Sequence, residues 1–166
     1  MAFTIYQASV PVYLRQLKAL ALLLDKAAAY CVDRKIDPDA LLQARLYPDM
    51  YNLVGQVQAT CNHAARGTAR LTGRDPMSTE SGASFDDLKA LVGRTIAFVS
   101  AVDERATEGA DSREITFPVG DGKRTLSGAD YLLGFSMPNF QFHAAMVYAI
   151  LRHCGLPLNK IDFLGQ

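Results

Sequence analysis

"FSMPNFQFHAAMVYAILRHCG", residues 135–155, decides the fold. At about 100° per residue, Phe140, Ala144, Val147, Ile150, Leu151 and Cys154 fall on one apolar arc, with Gln141, Tyr148 and Arg152 opposite. This spacing predicts an amphipathic helix that starts near Pro138, a residue suited to a first helical turn, and stops at Gly155-Leu156-Pro157. His143 lies inside the apolar arc, about one turn from the expected helix start. A helix with one apolar face needs partners, and the rest of the chain is read for them.

Three further helices emerge. The first runs from about Ala8 to Arg34, with Val10, Leu14, Leu17, Ala21, Leu24, Ala28 and Cys31 along one face. The second runs from Asp49 to Leu71, with Met50, Leu53, Val54, Val57, Cys61, Ala64, Thr68 and Leu71 as its stripe and Gly73 as its stop. After the polar linker "TGRDPMSTESGAS", Ser84 and Asp87 form a capping-box pair that opens the third. Its inward positions are Phe85, Leu88, Val92, Thr95, Val99 and Val102. The period then changes to two. Ile115, Phe117 and Val119 alternate before an Asp121-Gly122 turn, which predicts a β-hairpin. The fold class expected is all-α: a single domain over residues 1–166, built as a four-helix bundle with a small hairpin before the last helix.

Composition narrows the function classes. Seventeen basic residues balance seventeen acidic ones, and no basic run stands out. Such a chain lacks the positive footprint that phosphate backbones require, which excludes nucleic acid as the expected partner. The N-terminal "MAFTIYQASV" shows no signal-peptide pattern, and "ALALLLDKAAAY" is interrupted by charge and too short to span a bilayer. No membrane association is expected. Cys31, Cys61 and Cys154 are odd in number and form no CxxC pair, which fits reduced thiols in the cytoplasm.

The three histidines differ in kind. His143 is either a core histidine satisfied by one hydrogen bond or a ligand-binding group at an open end of the bundle. His153, ten residues later, is about 15 Å away along the axis and cannot share an ion with it. It sits with Arg152 in the last turn, where a cation meets the negative end of the helix dipole. His63 lies on the flank of the second helix, on one polar line with Asn52 and Gln56, a line a bundle tolerates at a rim, cleft or interface. The candidate ligand-binding set is His63, His143 and Gln56, with Asn139 closing the rim. The free N–H groups expected at the Pro138-Asn139 helix start would favour an anionic or carbonyl-bearing guest. Along the first helix, Val12, Ala19, Leu23 and Tyr30 form a second apolar line opposite the core face, which points to a homodimer.

"LYPDMYNLVGQVQATCNHA" and "PNFQFHAAMVYAILRHCGLPLNKIDFLG" resemble an uncharacterised bacterial family in the DinB/YfiT-like superfamily of putative metalloenzymes. The resemblance implies an antiparallel four-helix bundle, often dimeric. It also implies a divalent metal held by one histidine of the second helix and a HxxxH pair of the fourth. His63 and His143 match the first two positions; the third is Val147, which coordinates nothing. The expected function is therefore binding of a small polar ligand near one end of the bundle without a complete three-histidine metal site. The alternatives are a divalent-metal-dependent hydrolase or thiol-dependent transferase, as the superfamily implies, and a non-catalytic dimeric module.

Overall fold

The computed structural model describes residues 3–165. Helix α1 spans Ile5–Arg34 and begins earlier than the apolar pattern predicts. Thr4 Oγ1 accepts from the Gln7 N–H while Gln7 Oε1 accepts from the Thr4 N–H, so a capping box starts the helix there. After the short α2, Pro38–Leu42, helix α3 covers Leu53–Thr72. It starts later than expected because Asn52 takes the N-cap, accepting from the Gly55 N–H at 2.9 Å. Met50 therefore lies outside the helix, in a turn closed by its N–H on the Tyr47 carbonyl. Helix α4, Phe85–Ser100, has the predicted Ser84–Asp87 capping box, and Phe85, Leu88, Val92, Thr95 and Val99 are all buried.

Strands β1, Glu114–Val119, and β2, Gly122–Ser127, pair antiparallel with Val119 opposite Gly122. The two-residue turn is thus Gly120-Asp121, one position before the expected Asp121-Gly122. Gly120, at φ +55°, supplies the left-handed residue it needs. Ile115 and Phe117 point into the core, whereas Val119 is exposed at the turn.

The last long helix differs most from expectation. It does not start at Pro138. Helix α5, Gly128–Tyr131, leads through a π-helical turn, Leu132–Ser136, directly into α6, Met137–His153. Pro138 has no N–H to give to residue 134, and its ring would strike that carbonyl in a regular α-helix. Widening the preceding turn relieves the conflict: the Met137 N–H bonds to the Leu132 carbonyl, five residues back. No free helix N-terminus exists at Pro138-Asn139, so the anion-attracting end expected there is absent.

Helix α3 packs on α6, α4 packs on both α1 and α3, and α1 also touches α3 and α6. The chain ends in α7, Lys160–Leu164, capped by Asn159 and Asp162 and folded onto α1. Gln16 Nε2 donates to the Phe163 carbonyl at 2.9 Å, and Lys26 pairs with Asp162. Ala19 and Leu23 are buried within the chain, and Val12 and Tyr30 are partly covered. The second apolar line of α1 is therefore intramolecular packing, not a free dimer face. Among the described residues, no helix is long and apolar enough to cross a membrane.

At Gly67, α3 comes close to the π turn and to α1. A Cβ there would lie 2.5 Å from Ser136 Oγ and 2.6 Å from the Tyr13 hydroxyl, which are themselves hydrogen-bonded at 2.8 Å inside the core. Both oxygens are fixed by that bond and by close packing. Gly67→Ala should therefore destabilise by about 1–3 kcal/mol through overpacking, read as a lower denaturation midpoint at unchanged m-value.

Candidate functional site

The polar line of α3 faces the last helix. Gln56 is 1% exposed, and its Oε1 meets His143 Nδ1 at 2.7 Å. Its Nε2 donates to the Tyr51 carbonyl at 3.3 Å, which fixes the amide with oxygen toward the imidazole. That oxygen only accepts, so His143 carries its proton on Nδ1 and keeps a free lone pair on Nε2. Two turns along α3 from Gln56, the half-buried His63 ring lies 5.4 Å from that of His143, at an interplanar angle of 16°. The two imidazoles expected to share a site are therefore adjacent and nearly parallel.

Three aromatic rings that the sequence did not single out frame the pair. Tyr51 lies 6.1 Å from His143 and nearly parallel to it, Phe142 meets His143 edge-on at 5.3 Å, and Phe135 meets His63 at 6.0 Å. Tyr51 sits just before the Asn52 cap and Phe142 just before His143. Their roles depend on where the cap and the π turn place them, which a periodicity count does not show. Asn52 is itself consumed by capping. Asn139 donates from Nδ2 to the Phe135 carbonyl at 2.7 Å, one of the bonds that hold the π turn, so it does not close the rim as expected. His153 is exposed in the last turn of α6, and Cys61 points away, fully buried, its thiol pushed up to about 12 by desolvation.

Both imidazoles are held neutral. Burial lowers the His63 pKa to about 4, with further repulsion from His143, Arg66 and Arg70. Burial also lowers that of His143. At neutral pH the site therefore offers uncharged donors and acceptors: an imidazole acceptor at His143 Nε2, and one donor and one acceptor on His63.

A family model described as a domain of unknown function, DUF1993, matches residues 5–164. The chain belongs to this family. Its fold is shared with the crystal structure of a DinB family member protein from Shewanella denitrificans. The two are 32% identical, with a TM-score of 0.89 over 98% of this chain and 92% of that one. No curated protein matches the sequence.

The DinB resemblance implies a metal centre, and the donors of this DUF1993 chain do not supply one. Val147, one turn beyond His143, is fully buried in the core. Among the described residues no group of three or more His, Cys, Asp or Glu side chains is placed to hold an ion. Two histidines fall short of the three protein ligands that catalytic zinc sites use, so the residues present do not fit such a centre.

A group whose pKa is lower folded than unfolded takes up its proton first in the unfolded chain. His63 and His143 thus contribute stability that is present above about pH 6.5. That contribution is lost as the pH falls toward the His63 value near 4. NMR titration should place the His63 midpoint near 4 and that of His143 below an ordinary histidine's. Gln56→Glu should move His143 upward, because a carboxylate at Nδ1 favours the imidazolium.

Proposed function

We propose that this DUF1993 member binds a small polar ligand between α3 and the last helix, oriented by His63, His143 and Gln56 without a complete metal site. The observation that carries the reading is the Gln56–His143 bond at 2.7 Å, which presets one tautomer and leaves Nε2 beside the His63 ring. A core histidine with only a packing role needs neither a second imidazole beside it nor an exposed tyrosine over its face. Asn139 braces the helix in this reading, and the ligand contacts pass to Tyr51 and Phe142. The scaffold is a single-domain antiparallel four-helix bundle of α1, α3, α4 and the last helix. Cytoplasmic location is part of the proposal, supported by three unpaired thiols.

The metal-dependent hydrolase and transferase readings need a third ligand that Val147 does not supply. A homodimer is also proposed; it rests on the DinB/YfiT-like resemblance, which implies bundles that are often dimeric, since Ala19 and Leu23 are packed within the chain. Sedimentation at micromolar concentration should give twice the 18.1 kDa chain mass, and a monomer under those conditions refutes the dimer.

Two measurements test the site. Elemental analysis of untagged protein is expected to show no stoichiometric transition metal; one equivalent that disappears in His63→Ala would overturn the metal-free reading. A screen of small amides, alcohols and carboxylates by NMR should include compounds that shift both imidazole signals saturably. Their affinity should drop about tenfold in His143→Ala, the loss of roughly one hydrogen bond to a desolvated partner. Signals that no compound moves would return His143 to a packing role.

A further inference from the structure

A recess of about 570 Å³ opens on a flank of α3 and has Tyr51 in common with the imidazole pair. Its floor is the helix surface at Gly55 and Ala59, where no side chain extends beyond Cβ. Its walls are Tyr51, Gln58 and Asn62 on one side and Thr79, Glu80 and Ser81 of the linker between α3 and α4 on the other. At about 100° per residue, the line of Gln58 and Asn62 lies roughly 130° from that of Gln56 and His63, so the two places are on different flanks of α3. Tyr51 belongs to both places: its ring lines the recess, is 60% exposed, and lies nearly parallel to His143.

The linker wall is held in place. Gln58 Nε2 donates to the Ser81 carbonyl at 3.4 Å, Thr79 Oγ1 to Asn62 Oδ1 at 3.5 Å, and Arg94 Nη2 to the Glu80 carbonyl at 3.0 Å. Ser81 Oγ also bonds to the Asp87 carbonyl at 3.1 Å. Those bonds leave Asn62 Nδ2, Gln58 Oε1, the Tyr51 hydroxyl and the Glu80 carboxylate without a protein partner among the described residues. The free groups are thus one amide donor, one amide acceptor, a phenol that does both, and a carboxylate that can accept from two hydroxyls at once.

The chemistry of these walls selects a ligand class. No lysine, arginine or histidine lines the recess, Arg94 is engaged behind it with the Glu80 carbonyl, and the one charged lining group is the Glu80 carboxylate, which disfavours an anion. An apolar guest would bury the free amides and carboxylate without compensation. A saturated ring bearing several hydroxyls meets each condition. Its C–H face covers the exposed Tyr51 ring, its edge hydroxyls pair with Asn62, Gln58 and Glu80, and the helix floor, bare at Gly55 and Ala59, leaves room for the puckered ring.

We infer that the recess formed by Tyr51, Gln58, Asn62 and Glu80 is a binding subsite for an uncharged polyhydroxylated ring of the monosaccharide type. A substituent of that ring passes over Tyr51 to the imidazoles. The ring subsite stands on the recess alone; the reach to His143 rests on the ligand-binding reading above.

The test is an NMR titration of the full chain with methyl glucoside, followed at the Tyr51 ring, the Asn62 and Gln58 side-chain amides and the two imidazoles. Acetate and putrescine serve as anionic and cationic comparisons. The glucoside is expected to shift Tyr51 and Asn62 saturably in the millimolar range. Glu80→Gln, at the exposed wall, and Asn62→Asp, which keeps the oxygen that Thr79 bonds and removes only the Nδ2 donor, should each weaken it by about tenfold while leaving the circular dichroism and melting curve unchanged. Putrescine binding through Glu80 with the glucoside silent would overturn the ligand class. Recess signals unmoved by the glucoside would overturn the subsite, even if small amides still shift the imidazoles. Recess signals that respond while no compound moves the imidazoles would keep the subsite and sink the imidazole reading.

Discussion

The arrangement of the site depends on how closely α3 meets the π turn that leads into the last helix, and Gly67 leaves room for that contact. With no Cβ at this position, Ser136 and Tyr13 meet over the α3 backbone and bond to each other at 2.8 Å. Ser136 is the last residue of the π turn, so the contact holds the one irregular turn of the last helix against α3. From that point the contacts run in opposite directions along the two helices. Arg70 reaches Tyr131, His63 meets Phe135, and Gln56 meets His143. A longer side chain at residue 67 would separate the surfaces on which all three contacts rely.

The polar seam so formed is uncharged at the histidines, and the reason lies in the choice of amide over acid. Gln56 fixes the His143 tautomer as a carboxylate would, but without the charge that would stabilise an imidazolium. Burial of both rings, with Arg66 and Arg70 acting on His63, pushes in the same direction. Two neutral imidazoles in contact avoid the repulsion that two cations would suffer. Such a pair serves better as a set of oriented hydrogen-bond groups than as a general acid at neutral pH. A general acid works best when its pKa lies near the working pH, and the His63 value near 4 is far from that.

Much of this was legible in the sequence where local physics decides. The Ser84–Asp87 cap and the α4 stripe from Phe85 to Val99 are fixed by one capping interaction and by spacing and are found as expected; Val102, expected as the last inward position, is buried beyond the helix end at Ser100. The inward direction of His143 follows from the same arithmetic, and so does the alignment of Gln56 with His63. The π turn was not legible, because it depends jointly on Pro138 and on a tertiary contact at Gly67 that no local pattern encodes. Reading Pro138 as a helix start then misassigned Asn139, whose amide serves the turn. The apolar line through Ala19 and Leu23 is a real feature with the wrong partner: a five-residue helix at the far end of the chain lies on α1. Its Asn159–Asp162 cap is visible in the sequence, but its docking site on α1 is not.

The hairpin acquires a role from the same geometry. Phe117 on β1 is 1% exposed and packs against Tyr131 at 4.9 Å and Phe135 at 4.6 Å, the residues at and just before the π turn. Arg70 closes this cluster from α3. Its guanidinium lies 5.4 Å from both the Phe117 and Tyr131 rings and donates to the Tyr131 hydroxyl at 2.8 Å. A two-stranded hairpin is marginal alone, and this one takes its stability from the aromatic residues it buries. In return it packs on Phe135, the ring that His63 also meets. The hairpin, the cation of α3 and the glycine contact thus fix the π turn from three directions. The π turn in turn sets the position of His143 along α3, so a segment far from the imidazoles in the chain governs how they face each other.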